Sequence, residues 1–329
     1  MGQSPSVRTP GRWLAGATIG LLTLIWGTTW AAIRVSLEGI PPITGVALRF
    51  AIAGALLAVV ARWKGIPLVS RSRREHGLRL CHTVLSFCVS YGVVFWAEQW
   101  VPSGLAAIVF ATFTLFIVVM AHFVLPDERL TVRSVSGVLV GLAGIATIYC
   151  TDFASLGGRQ VAFAAVVMLV APVVSAVANV AIKKWGRDVH PVSLNAVAML
   201  QGSVIMAIVA AVAEHGRPLD VDAASLGALL YLAVFGSAVT FTLYFWLLQH
   251  IRAGTLALIG YGTPVVAILV GCGLLDEPLT INVVTGALMV IVGVALATVR
   301  KREARASAGG ERVVVPCPSP NPLPDTDQS

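Results

Sequence analysis

A chain of 329 residues that is 57% hydrophobic and 12% charged, with a mean hydropathy of +0.85, has too little polar side-chain surface to coat a soluble domain of its size. That composition excludes a soluble enzyme or a soluble binding module and points to the bilayer as the solvent. The formal charge of +7 is read from where the basic residues fall, because in a membrane chain they report topology and lipid headgroups rather than nucleic acid.

Residues 1–12 form a short basic N-terminal tail. The first apolar run, Trp13 to Ile33, is long enough to span a bilayer and lacks a small-residue cleavage site after a short apolar core, so it is expected to remain as a helix. Spans follow at Thr44 to Ala61, Leu80 to Trp96, Gly104 to Leu125 and Val132 to Tyr149. After a linker at 151–160 come Val161 to Ile182, Val192 to Ala213, Leu226 to Leu248, Gly254 to Leu275 and Ile281 to Val299. The fold class this predicts is an all-α membrane protein with ten transmembrane helices in two five-helix halves, 13–150 and 161–302. Residues 303–329 turn polar and then proline-rich (Pro316, Pro318, Pro320, Pro322, Pro324), a composition expected to stay disordered on the cytoplasmic side. The cysteines Cys81, Cys88, Cys150, Cys272 and Cys317 show no CxxC or metal-ligand spacing and are assigned no role.

The two halves repeat one another. Asp127-Glu128-Arg129-Leu130-Thr131 returns as Asp276-Glu277-Pro278-Leu279-Thr280, and nine of the twenty positions from Asp127 to Ala146 are identical at an offset of 149. Phe95-Trp96, Gln99 and Gly104 return as Phe245-Trp246, Gln249 and Gly254 at an offset of 150. An odd number of spans per copy forces the copies into opposite orientations, the plan of many secondary transporters. The charges agree: of 23 Lys and Arg, 19 fall on the side of the termini, only Arg34, Arg159 and Arg217 fall opposite, and Arg49 lies inside a span. Matching loops also invert their charge, Arg129 and Arg133 becoming Pro278 and Asn282. Both termini are therefore expected in the cytoplasm.

The run Ile25-Trp26-Gly27-Thr28-Thr29-Trp30-Ala31-Ala32-Ile33, with Pro41-Pro42, Ala47-Leu48-Arg49-Phe50, Glu98-Gln99-Trp100-Val101-Pro102-Ser103-Gly104-Leu105-Ala106-Ala107 and the Glu-x-Leu-Thr that closes the fourth and ninth spans, resembles EamA-type permeases of the drug/metabolite transporter superfamily over about Trp13 to Val299. The resemblance implies two inverted units around a central cavity and export of amino acids or other small metabolites. The family often carries proline in the middle of the fourth span, where this chain has Thr114, and Pro264 keeps it in the ninth, so any broken-helix hinge is better supported in the second half.

Candidate substrate contacts come from polar and aromatic residues at helical spacing. Trp26 and Trp30 share a face whose repeat counterparts are Ser175 and Asn179, an aromatic wall opposite a polar one, although tryptophans also anchor membrane interfaces. Tyr91, Phe95, Glu98 and Gln99 continue along one stripe, repeated by Phe241, Phe245 and Gln249 beside Ser237, Thr240 and Tyr244, while the glutamines equally suit a span end. Tyr261, Thr263 and Pro264 form the most polar stretch of the ninth span. Substrate-binding candidates are thus Trp30, Tyr91, Phe95, Gln99, Asn179, Tyr244 and Tyr261. Arg49 is the one basic residue well inside a span. It is expected either to pair with Glu98 or to meet a substrate anion. Asp127-Glu128 and Asp276-Glu277 flank helix starts and are read as supporting the helices that follow.

Together these residues predict a permease for a small-molecule metabolite, embedded in lipid, with no nucleic-acid partner and no catalytic residue, metal or cofactor requirement; oligomeric state is not encoded in any motif. No acid stands plainly at the midplane, so proton coupling, exchange and facilitated transport all remain open. An intramembrane enzyme or a receptor with a central ligand pocket is the alternative, but HExxH, GxSxG, paired intramembrane carboxylates and a P-loop are all missing from the chain.

Overall fold

The structure is a computed structural model describing residues 12–68, 72–125, 130–149, 158–186, 188–250, 253–277 and 279–298. The predicted tail 303–329, the pair Asp127-Glu128 and most of the linker lie outside them. Every regular element among the described residues is helical. We label them α1 (Arg12–Ser36), α2 (Pro42–Trp63), α3 (Arg73–Ala97), α4 (Ser103–Val124), α5 (Val132–Tyr149), α6 (Arg159–Trp185), α7 (Pro191–Ala213), α8 (Ala223–Leu247), α9 (Ala253–Leu274) and α10 (Ile281–Thr298). Seven of these are long and apolar enough to cross a membrane, and the shorter apolar segments Val132–Thr147, Gly262–Leu274 and Ile281–Leu296 accompany them among the described residues. Large apolar side chains such as Leu139, Ile208, Leu269 and Ile281 are exposed on the bundle surface, as lipid contact requires.

Helix starts follow the local sequence. Pro42 and Pro191 occupy first-turn positions, where a missing N–H costs nothing. Asp222 caps α8 by accepting from Ser225 N at 2.8 Å. That bond and the one from the Ser225 hydroxyl hold the Asp222 carboxyl below its ordinary pKa.

Within a membrane, helices associate through close packing of small residues rather than through a hydrophobic drive. The clearest case is α5 against α10. A methyl group added to Gly144 would lie 2.7 Å from Gly286 O, and one added to Gly293 would lie 2.6 Å from Gly137 O. Gly137 and Gly144 are the repeat counterparts of Gly286 and Gly293, so each contact is the other with the halves exchanged. The contact register rises on one helix as it falls on the other, which makes the two helices antiparallel. The same reasoning makes α2 antiparallel to α7, since Glu214 reaches Ile43 and Thr44 while Gly54 packs on Leu200. It makes α4 antiparallel to α9 (Gly104 on Ile268, Gly260 on Thr114) and α1 parallel to α9 (Thr23 on Gly262, Gly27 on Val266).

Contacts between loops sort the ends of the bundle. Asp220 N donates to Gly39 O, Arg34 donates to Glu98 O, and Glu277 accepts from Ser103 and Gly104. The α1–α2, α3–α4, α7–α8 and α9–α10 connections therefore share one end. Ser193 Oγ donates to Pro67 O and Arg74 to Trp185 O, which joins the α2–α3 and α6–α7 connections at the other.

Several expectations are corrected. α9 runs through Pro264 without interruption, and α4 and α6 each carry only a one-residue turn with helical dihedrals, at Thr112 and Leu169. α3 begins at Arg73 under a Ser72 cap, so Arg79 belongs to a helix and not to the preceding loop. It is 2% exposed and bonded to Glu75, Leu68 O and Ser193, which makes Arg49 one of two buried arginines among the described residues. Glu277 caps the N-terminus of α4, in the other half, rather than that of α10, because the close approach of α9 to α4 delivers its carboxylate to the free amides of Ser103 and Gly104.

Candidate functional site

The third helix of each half is wound as a π-helix through its middle, His82–Ser90 in α3 and Val234–Val239 in α8. At the repeat offset of 150 the first segment maps onto 232–240, so the two distortions are counterparts. A π-turn widens the ring and loosens the backbone ladder, a feature often found at functional sites. In α8 it leaves the Gly236 carbonyl and the Ser237 side chain turned toward α2.

Arg49 meets them there. Its Nε donates to Ser237 Oγ at 2.8 Å and its Nη2 to Gly236 O at 3.0 Å, while Ser237 Oγ in turn donates to Leu232 O at 3.0 Å. The guanidinium carbon lies 4.7 Å from the Tyr91 ring centroid, with Phe50 and Phe95 at 5.7 and 5.8 Å. Only glycine fits at 236, since a methyl group would meet Thr29 Cγ2 at 2.8 Å and Arg49 Nη2 at 3.3 Å. Arg49 is 1% exposed and lies about 10 Å along the helix from Pro42.

Rings continue from this cation. Phe50 packs edge-on to Phe87 and Tyr91, Phe241 bridges Phe87 and Tyr91 to Trp26, and Trp26 lies 5.3 Å from Tyr244. Phe50, Phe87 and Phe95 are fully enclosed, but Trp26, Tyr91, Phe241 and Tyr244 keep part of their surface accessible. The cluster therefore has a filled floor and an accessible wall, contributed by α1, α2 and α3 of one half and α8 of the other. Aromatic pairs of this geometry are worth roughly 1 kcal/mol each beyond burial, and they hold the wall in a defined shape.

The expected Arg49–Glu98 ion pair is not formed. Both Glu98 carboxyl oxygens are buried without a hydrogen-bond partner, and so is Arg49 Nη1. The physical reason is competition: α8 offers Arg49 two neutral acceptors, and Arg34 approaches Glu98 through the backbone carbonyl rather than the carboxylate. Glu98 stands just past the end of α3. Burial, with Glu277 nearby, pushes its carboxyl well above the ordinary range against the opposing pull of Arg34 and Arg49. The stability losses of Arg49→Gln and Glu98→Gln are accordingly expected to add to within about 0.5 kcal/mol in detergent melts. A coupling above about 1 kcal/mol would restore the pair.

The remaining candidates fall in different places. Tyr91 and Phe95 join Arg49, and Tyr244 joins through Trp26. Trp30 is buried against Phe110 at 5.5 Å. Gln99 spends its amide on Trp96 O, and Asn179 donates to Ser175 O one turn back while its Oδ1 is buried without a partner. The side chain of Tyr261 lies outside the described residues. The Trp26 and Ser175 faces do not oppose each other: Trp26 packs on α8, and Ser175 Oγ donates to Ser90 Oγ on α3 at 2.8 Å. These are equivalent partners, the third helix of the opposite half. Phe50, Phe87 and His82 were missed. Phe87 was within reach, one turn before Tyr91 on the same stripe, and His82 bonds Ser86 and Asn195 in a polar seam between α3 and α7.

Known proteins share this plan. Residues 13–150 and 162–299 each match the EamA-like transporter family. The inner membrane transporter YedA of Escherichia coli K12 is 31% identical over 271 residues, 81% of this chain and 84% of that protein. The transporter YoaV of Bacillus subtilis is 27% identical over 282 residues, 84% and 94% of the two chains. A solved crystal structure aligns with a TM-score of 0.64 at 21% identity, covering 88% of this chain and 97% of that one, a likeness of fold. With the family's model matched twice along its length, the chain belongs to the EamA-like transporter family.

Proposed function

We propose that this protein is a secondary transporter of the cytoplasmic (inner) membrane that exports amino acids or other small metabolites by alternating access. Ten spans form two inverted five-helix halves, 13–150 and 161–302, with both termini in the cytoplasm. The observation that carries this reading is the aromatic and cationic cluster where α1, α2 and α3 meet α8, a wall built from both halves. The reciprocal glycine contacts of α5 and α10 support the inversion, and the excess of basic residues on the side of the termini supports the orientation. Transporter-named relatives along most of the chain weigh against the enzyme alternative.

Reporter fusions after Arg133 are expected to report cytoplasm and fusions after Asn282 the opposite compartment; one compartment for both sinks the inverted halves. For activity, cells overexpressing the chain are compared with cells lacking it by metabolite release and by resistance to toxic analogues. Alanine at Trp30, Tyr91, Phe95, Asn179, Tyr244 or Tyr261 is expected to change that release at unchanged membrane level. Tyr91, Phe95 and Tyr244 variants indistinguishable from the parent would remove the site from this cluster, whatever the other three do.

A further inference from the structure

Arg49 is a permanent cation that the structure encloses with no counter-ion hydrogen-bonded to it, Glu98 acting on it only at a distance. Guanidinium stays protonated in any protein environment, and a buried charge is ordinarily paired with an opposite one. Both bonds Arg49 makes go to neutral oxygens, whereas the other buried arginine among the described residues, Arg79, is paired with Glu75. Glu98 offers its oxygens to no donor.

The geometry of the unused donors is specific. A guanidinium carries five N–H groups. The side edge of Nε and Nη2 is spent on Ser237 Oγ and Gly236 O, which orients the plane. Two protons on Nη1 and one on Nη2 remain, and Nη1 is buried without an acceptor. That end edge presents one N–H from each nitrogen in parallel, the fork that takes a carboxylate in bidentate fashion. Around it stand ring faces and edges, Tyr91 nearest and then Phe50 and Phe95, and Tyr91 continues into the accessible wall through Phe241.

We propose that the missing counter-ion is the transported solute: the end edge of Arg49 binds the carboxylate of a small monoanion whose apolar or aromatic body packs on Tyr91 and Phe241. This rests on the transporter reading above and narrows its substrate class. In the arrangement seen here the edge is closed, so binding accompanies a movement that opens Tyr91 and Phe241 toward the wall. The π-turn of α8 serves the site as a positioning element, holding the guanidinium from behind through neutral groups that leave its charge available. An uncharged or cationic analogue of the same body finds the rings and not the fork.

The test uses purified full-length protein in detergent and three probes that differ in charge on one scaffold: phenylacetate, phenylacetamide and phenethylamine. Phenylacetate is expected to raise the melting temperature and to bind at least about tenfold more tightly than the amide, the amine giving no shift. Arg49→Lys weakens the preference, and Arg49→Gln abolishes it. The measurement on the parent protein stands even where a variant fails to fold. Equal shifts for acid and amide, no shift with any probe, or a preference that survives Arg49→Gln in folded protein overturns the proposal. Proteoliposome uptake separates the two readings. Carriage of the amide or amine without the acid leaves a transporter and removes the anion site, whereas no uptake together with no metabolite release from overexpressing cells removes the transporter itself.

Discussion

Gly293→Val is expected to cost about 3 kcal/mol or more, the upper end of what overpacking produces, and to separate α5 from α10. A Cβ at this position would lie 2.5 Å from Gly141 N, 2.6 Å from Gly137 O and 2.7 Å from Gly141 Cα. All three are backbone atoms of the facing helix. No rotamer change relieves the clash, so the helices themselves must move apart and lose contact along the seam. Gly144→Val is expected to act in the same way, since its neighbours include Gly286 O and Val290 N at 2.7 and 2.9 Å. Gly20→Ala supplies the control: nothing lies within 4 Å of that Cβ, and alanine's better helix propensity predicts an unchanged or slightly raised stability, by up to about 1 kcal/mol. Detergent melting with size-exclusion profiles reads both. A Gly293→Val protein as stable as the parent would mean that α5 and α10 do not pack through these glycines.

Glu277→Ala is expected to cost about 3 kcal/mol, because three charge-assisted bonds are lost together. The carboxylate accepts from Ser103 N at 2.6 Å, Ser103 Oγ at 2.9 Å and Gly104 N at 3.1 Å. Those amides open α4, where no helical carbonyl precedes them, and the positive end of the helix dipole adds to the attraction for a negative group. Glu277→Gln keeps one oxygen acceptor and loses the charge, so it should fall between parent and alanine. Because Glu277 reaches from the α9–α10 connection to the start of α4, its loss also weakens one tie between the halves at that end. Transport that changes in Glu277→Gln at nearly full stability would mark this tie as part of the movement. A melting temperature for Glu277→Ala within error of the parent would show that water replaces the cap.

What was readable in the chain was what depends on composition and period. Membrane residence, helical class and duplication follow from hydropathy and the internal repeat, neither of which needs a neighbour in space. The sequence also carried the family resemblance, and with it the transporter class. Within the site, Arg49, Tyr91 and Phe95 were legible because a cation inside an apolar run and an aromatic stripe at helical spacing stand out in one dimension.

Partners were a different matter. Arg49 is paired in sequence logic with Glu98, yet it binds Gly236 and Ser237, because a π-turn in α8 presents a carbonyl and a hydroxyl at that depth. Nothing in the composition of Val234–Val239 announces that turn. Pro264 was the visible hinge signal and left its helix unbroken, while one-residue turns fall at Thr112 and Leu169, which no proline marks. Glu277 was assigned to the helix that follows it and caps one in the other half. For Glu277 the deciding quantity was an interhelical distance of a few ångströms, set by the glycines that let α9 approach α4. The one-dimensional pattern determined which faces turn inward; only the packed bundle decided which atoms those faces meet.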